Sequence, residues 1–244
     1  MIGLLTSDFS LYHDLINILK RREIPFISLN FKDKIPSDVD IIITSEEDAD
    51  EIDFDKKIVC RKGCNLEMLI DKAEMMCYGE DIKIVFGIDP GDNIGIAIFG
   101  NEKFIRSFVA KSPELASEFI KEYIREMDAN DVVVRIGNGA RLVRNRIINF
   151  LVDEDLKLEI VDESTISCMD DDALDAFKIA MAKGNEIKRG FSVEPKEGEI
   201  REMQRLSRIR SKNITISKKL AKKVLTGEIE LEDAIKMQKN KNQE

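Results

Sequence analysis

The sequence predicts an α/β protein: a small parallel α/β unit, then a mixed sheet in the order βββαβαβα, then a helical tail. Three observations carry this. Apolar runs with strand spacing alternate with helix-spaced apolar stripes over the first 80 residues. Three consecutive strand-like runs with short turns follow near residue 82, and after them strands and helices alternate. The last 50 or so residues carry helical patterns and no strand pattern.

In the first unit, Ile2–Leu5 reads as a strand, and Leu11, Leu15, Ile18 and Leu19 recur on one helical face. Lys20, Arg21 and Arg22 suit that helix's C-terminus. Pro25–Leu29, Asp40–Thr44 and Lys57–Cys60 read as further buried strands, and Leu66, Leu69, Ile70 and Ala73 as a closing helix. Strands joined by crossovers favour a parallel sheet. No glycine-rich phosphate loop is present there, and the acidic run Glu46 to Glu51 reads as a solvated loop.

A break falls near Gly79. Ile82–Asp89, Ile94–Phe99 and Lys103–Val109 are then three strands, with Asp92-Asn93 and Gly100-Asn101 supplying the turns. A helix over Pro113 to Met127 has Ser112 as N-cap and proline in its first position. Val132–Ile136 is a strand, Ala140–Leu151 a helix, Leu158–Val161 a strand, and Asp170–Lys183 a helix stopped by Gly184. The tail starts near Phe191 and holds helices at 199–211, Ser217–Leu225 and Leu231–Met237. This divides the chain into 1–79, 80–188 and 189–244.

Of the 244 residues, 43% are apolar and 35% charged, a folded composition with a heavily charged surface. No apolar run reaches the roughly 18 residues of a membrane span. Met1 to Leu5 lacks the basic flank of a signal peptide, so a cytoplasmic location is the default expectation. Without a secretory signal, Cys60, Cys64, Cys77 and Cys168 are expected as free thiols, since Cys60-x3-Cys64 is poorly spaced for zinc. The net charge of −9 argues against a non-specific nucleic-acid coat, but it is uneven: −7 over residues 1–80, −8 over 81–182 and +6 over 183–244.

Chemistry is concentrated in three acidic motifs. Gly87-Ile88-Asp89-Pro90-Gly91 puts a carboxylate at a strand end before a turn, and Gly95 leaves space over it. Val161-Asp162-Glu163-Ser164-Thr165 ends a buried strand in two acids. In Asp170-Asp171-Asp172-Ala173-Leu174-Asp175, Asp172 and Asp175 share a helix face, as do Asp171 and Asp175. Acids directed at a sheet are costly unless a cation neutralises them. Oxygen ligands without histidine suit Mg²⁺ or Mn²⁺, and two such ions about 4 Å apart activate water and stabilise the leaving oxygen of a phosphodiester.

These motifs resemble those of the RNase H-like nucleases of the RuvC/YqgF group, the Holliday junction resolvases and their relatives, over roughly residues 82–184. GIDPG resembles the first-strand motif, VDEST the YqgF-type DER-x-T motif, and DDALDAFKIA the final-helix D-x-x-D-A motif. The resemblance implies metal-dependent cleavage of structured or branched DNA or RNA, with Asp89, Glu163, Asp172 and Asp175 as catalytic and metal-binding residues. It also implies a role in DNA recombination or repair, and dimerisation. Two departures stand out: Arg135 and Gly137-Asn138-Gly139 occupy the region where RuvC has an acid after the fourth strand, and Ser164 replaces an arginine common in YqgF relatives.

Arg141, Arg144 and Arg146 follow the glycine-rich turn at a helix N-terminus, an arrangement suited to phosphate. Arg208 and Lys212 lie in the basic stripes of the tail, which lack the aromatics needed for base stacking. Two alternatives stay open: a non-catalytic nucleic-acid-binding or scaffold protein with the same fold, and an actin-like ATP-binding protein, which would need a second phosphate loop.

Overall fold

The structure, a computed structural model, describes residues 1–79, 81–129, 131–154, 156–165 and 171–241. The first unit is a parallel sheet of four strands in the order β2-β1-β3-β4: β1 (Ile2–Leu4), β2 (Phe26–Ser28), β3 (Ile41–Ser45) and β4 (Lys57–Cys60). Helices α1 (Phe9–Arg21) and α2 (Leu66–Tyr78) are capped by Asp8 and Asn65, whose side chains accept from backbone amides of the first turn. Leu11, Leu15 and Leu19 of α1 and Leu69, Ile70 and Ala73 of α2 pack on Ile2, Leu4, Ile41 and Ile43.

Two expectations fail here. The acidic loop is not simply solvated: Asp48 is buried, and Thr6, Ser7 and Ser45 donate hydroxyl hydrogen bonds of 2.6–2.7 Å to it. Burial pushes its carboxyl up, but those hydroxyls outweigh it and hold the group well below the usual carboxylate range. Cys60 and Cys64 are joined as a disulfide rather than free, because the turn at Gly63, with φ +83°, brings their Cα atoms to 6.1 Å. Cys77 is a half-buried free thiol. Cys168 and Asp170 lie outside the described residues.

The second sheet has six strands in the order β10-β9-β8-β5-β6-β7. Strands β5 (Lys83–Pro90), β6 (Ile94–Gly100) and β7 (Lys103–Ala110) form an antiparallel meander. Strand β8 (Asp131–Gly137) pairs parallel with β5, and β9 (Lys157–Val161) parallel with β8. With α3 (Pro113–Met127), α4 (Arg141–Leu151) and α5 (Asp172–Met181), this is the expected βββαβαβα order. An unexpected antiparallel strand, β10 (Asn185–Ile187), closes the β9 edge.

Alternation along the strands assigns the two faces. Ile84, Phe86 and Ile88 join the main core with Ile120, Tyr123 and Met127 of α3 and Ile147, Ile148 and Leu151 of α4. The other face presents Gly87, Gly95 and Ala97, and α5 lies on it through Ala176 and Ala180. The contact is close enough that a Cβ on Gly87 would strike the Ala176 carbonyl, and one on Gly95 the Asp172 carbonyl.

The tail is a bundle of α6 (Glu197–Ser211), α7 (Lys218–Leu225) and α8 (Leu231–Lys241) around Ile200, Ile216, Ala221 and Ala234. Among the described residues, no helix is long and apolar enough to cross a membrane.

Candidate metal centre

Asp89 stands on the α5 face of β5, since Val85, Gly87 and Asp89 alternate with the core residues. Its register partner in β6 is Gly95, and Gly95 touches the backbone of Asp172. This chain of contacts puts the first turn of α5 beside the end of β5. Asp172 is half-buried and Asp175, one turn on, is buried, with Lys178 Nζ at 3.5 Å from its Oδ1. Asp171 plays a different part. It is the N-cap of α5, accepting from the Ala173 and Leu174 amides, so its pairing with Asp175 is not a site feature.

Glu163 arrives from beyond β9 and lies over the end of β8. A Cβ on Gly137 would collide with its carboxylate. The Gly139 amide donates to Glu163 Oε1 at 2.9 Å. Asn138 ties the same segment down, its Nδ2 donating to Asp162 Oδ1 at 3.1 Å and its Oδ1 accepting from the Glu163 amide at 3.3 Å. The turn expected to bind a phosphate is thus occupied by the protein's own anion. The acid absent after β8 in the sequence is matched in space by one from after β9.

Electrostatics tie the four carboxylates together. The Asp89 carboxyl is pushed up to about 6, first by burial and then by Glu163, Asp175 and Asp172. Among the described residues, however, no three acidic, histidine or cysteine side chains already converge as ligands on one point. The donor set fits a hard divalent cation in chemistry: oxygens only, from two strand ends and a helix, with four carboxylates against the nearby Lys178 and Arg144.

The expected basic contacts divide. Arg144 stays near the centre: Nη1 donates to the Asn138 carbonyl at 2.8 Å, and Glu163 draws its pKa up against burial and Arg141, which draw it down overall. Arg141 faces away, donating to Glu199 at 2.9 and 2.8 Å and to the Glu194 carbonyl at 2.9 Å, which docks the tail on α4. Arg146 pairs with Glu114 at 2.5 Å. Neither fits its expected role as a free phosphate contact, because each is committed to an internal carboxylate. Arg208, on α6, and Lys212, its C-cap, are exposed on the surface of the bundle. Arg135 also serves the fold, donating to Glu159 at 3.0 Å and to the Ala180 carbonyl.

Sequence reasoning missed Lys178 as the partner of Asp175. The i,i+3 spacing was the available signal. It also missed Asn138 as the brace of Glu163, for which only a contact between segments 24–25 residues apart gives the clue.

Comparison with known proteins gives matches on either side of this centre. A response regulator receiver-like domain model matches residues 1–73, and a three helical bundle domain model matches residues 196–240. No curated protein matches. Among solved structures, the chain is similar to Marinitoga piezophila Argonaute in complex with 5′ OH guide RNA, at 12% identity and a TM-score of 0.26. The same Argonaute with guide RNA and target DNA gives 14% and 0.27. Each match covers 66% of this chain and 39% of the Argonaute, so the chain spans about two fifths of its length. An Aquifex aeolicus member of the Ppx/GppA family gives 11% identity and a TM-score of 0.16, covering 91% of this chain and 72% of that one. Scores this low fix neither fold nor function for the present chain.

Proposed function

We propose that the chain is a divalent-metal-dependent nuclease acting on structured or branched nucleic acid, with residues 80–188 carrying the chemistry. The observation that supports this most is Asp89, a half-buried carboxylate held among Glu163, Asp175 and Asp172 and pushed up to about 6. A folded protein gains nothing from such a cluster unless a cation joins it.

In this reading Asp89, Glu163, Asp172 and Asp175 hold Mg²⁺ or Mn²⁺. The bound ion supplies Lewis acidity toward a phosphodiester oxygen. The chain's own residues provide order: Gly139 and Asn138 fix Glu163, Lys178 restrains Asp175, and Arg144 adds positive charge on the Glu163 side. The rigid sheet and the close seat of α5 limit drift of the acids, which matters because a displacement of about 1 Å costs in-line alignment.

The test combines binding and turnover. Mn²⁺ titration of the wild type, followed by thermal shift and by Mn²⁺ paramagnetic resonance, should show saturable binding that Asp89→Asn weakens at least about tenfold. Cleavage of branched DNA and structured RNA should need the metal and fall by about a hundredfold or more in the same variant. Metal-dependent cleavage that is unchanged in Asp89→Asn would sink the assignment.

A second reading, non-catalytic nucleic-acid binding on the same fold, is favoured by one observation: the acids do not yet converge as a ligand set. Nucleic-acid binding without Mn²⁺ binding would select it.

A further inference from the structure

A cleft of about 620 Å³ lies away from the acidic centre, along β4. Lys57, Ile58 and Val59 all line it. Consecutive strand residues point to opposite faces, so three in a row can border one cleft only if it runs along the strand's edge. That edge is open. Strand β4 ends the sheet order β2-β1-β3-β4 and, among the described residues, pairs only with β3. After α2 the chain leaves for β5 in the other sheet, so no strand of its own follows β4 on that side. An unpaired edge of this kind accepts another chain unless something blunts it.

The cleft has two further properties. Its lining is mixed: Met76 of α2 and the half-buried Ile58 and Val59 give it an apolar strip, flanked by Asn65, Lys72 and Glu126. Methionine adapts its shape to varied side chains. Its end at the β4–α2 turn is cationic. Arg61 is 81% exposed and only loosely paired, 3.8 Å from Glu46, and Lys62 has no partner among the described residues. The other two cations are internally committed, Lys57 to the Ala49 and Ile52 carbonyls and Lys72 to the Glu126 carbonyl.

We propose that this edge is a docking site for an extended, acidic peptide segment of a partner protein, which adds as a fifth strand beside β4. Main-chain hydrogen bonds to β4 supply affinity, alternate apolar side chains rest on Met76 and Ile58, and carboxylates meet Arg61 and Lys62. A second copy of this chain is a poorer occupant, because antiparallel two-fold pairing of β4 edges sets the Arg61–Lys62 turn of each copy beside the Lys57 end of the other, cation against cation. Nucleic acid is poorer too, since the cleft lining contains no aromatic side chain for stacking and a strand edge offers nothing in register to a phosphate backbone.

The test uses the full chain and a fluorescein-labelled peptide of about nine residues alternating Val and Glu. Fluorescence anisotropy should show saturable binding with a dissociation constant in the micromolar range. Alternate N-methylation of the peptide backbone should abolish it, and Arg61→Glu with Lys62→Glu should weaken it about tenfold without changing Tm. Amide resonances of Lys57–Cys60 should shift on titration. Equal binding of the N-methylated peptide, equal binding of a Val–Lys peptide, or no saturation below about 1 mM overturns the proposal. So does displacement of the peptide by a single-stranded oligonucleotide, or a β4-dependent dimer that excludes it.

Discussion

Asp89 shows how one side chain records the tension between folding and function. It sits at a strand end on the face covered by α5, where burial and three neighbouring carboxylates oppose its ionisation. Replacing it by asparagine keeps the shape and removes the charge, so Asp89→Asn should be more stable than the wild type by about 1–2 kcal/mol near neutral pH, after discounting for its half-exposure. Chemical denaturation measures this. The pH dependence has a definite sign. The folded-state pKa of about 6 lies above the ordinary 3.8, so between these values the folded chain keeps a proton that the unfolded chain has lost. The wild type should therefore gain stability as pH falls from about 6 toward 4, relative to Asp89→Asn, and lose it as pH rises. A stability difference that stayed constant from pH 7 to pH 4 would contradict the burial and like-charge account. Asp89 itself was legible in the sequence, because an apolar run ending in Asp-Pro-Gly can be read locally. The brace of Glu163 was not. A Gly-Asn-Gly turn before arginines signals an anion site, and nothing local says that the anion is a glutamate from the next strand.

At the scale of elements, α5 and the sheet beneath it are fitted through glycines, and the two kinds of glycine have different consequences. A Cβ on Gly95 would strike the Asp172 backbone carbonyl, which can move only if the first turn of α5 lifts off the sheet. Gly95→Ala should then cost about 2–3 kcal/mol and displace two of the four acids together. A Cβ on Gly137 would meet the far ends of two side chains rather than backbone: the Glu163 carboxylate, which can swing away, and the Ile179 Cδ1 methyl at 3.0 Å. Gly137→Ala should cost under about 1 kcal/mol, yet weaken Mn²⁺ binding, since Glu163 loses its place over the Gly139 amide. Urea denaturation and Mn²⁺ titration of both variants separate the two effects; equal stability losses would mean that the backbone contact at Gly95 is not the rigid one. The elements themselves were largely readable, because caps, turns and alternation agree with the sheet. Strand β10 was not, since Asn185-Glu186-Ile187 is too short and polar to carry a pattern and exists by pairing with β9. The Cys60–Cys64 disulfide was missed for another reason: compartment was used to predict thiol state, where the geometry of the turn at Gly63 was decisive.

Across the whole molecule, the first sheet and the second are joined through α2 and a buried charge. Met68 and Met75 of α2 belong to the core of the second sheet, while Leu69, Ile70 and Ala73 belong to that of the first. On the same helix, Asp71 is fully buried. Arg106 Nε of β7 donates to its Oδ2 at 2.7 Å, and the Tyr123 hydroxyl of α3 donates to the same oxygen at 3.0 Å. Arg22, just after α1, lies 2.7 Å from Oδ1 as an ion pair not aligned as a hydrogen bond. Arg106 also lies over the rings of Phe108, Phe119 and Tyr123. Arg22 additionally faces Glu67 and Glu74, and burial raises the Glu74 carboxyl while Arg22 opposes the rise. One carboxylate thus bridges two guanidinium groups, one from each unit. Removing it leaves both in a largely buried place, so Asp71→Ala should cost about 3–5 kcal/mol, far more than loss of an exposed pair such as Arg205–Glu202. The cost should appear as loss of coupling. Calorimetry of the wild type should give one transition for the two sheets, and Asp71→Ala should split it, with residues 1–79 melting first because the smaller core stands alone. Asp71→Asn, which keeps a hydrogen-bond acceptor for Tyr123 and Arg106 but not the charge, should fall between the two. A single unshifted transition in Asp71→Ala would show that apolar packing of α2 alone joins the sheets.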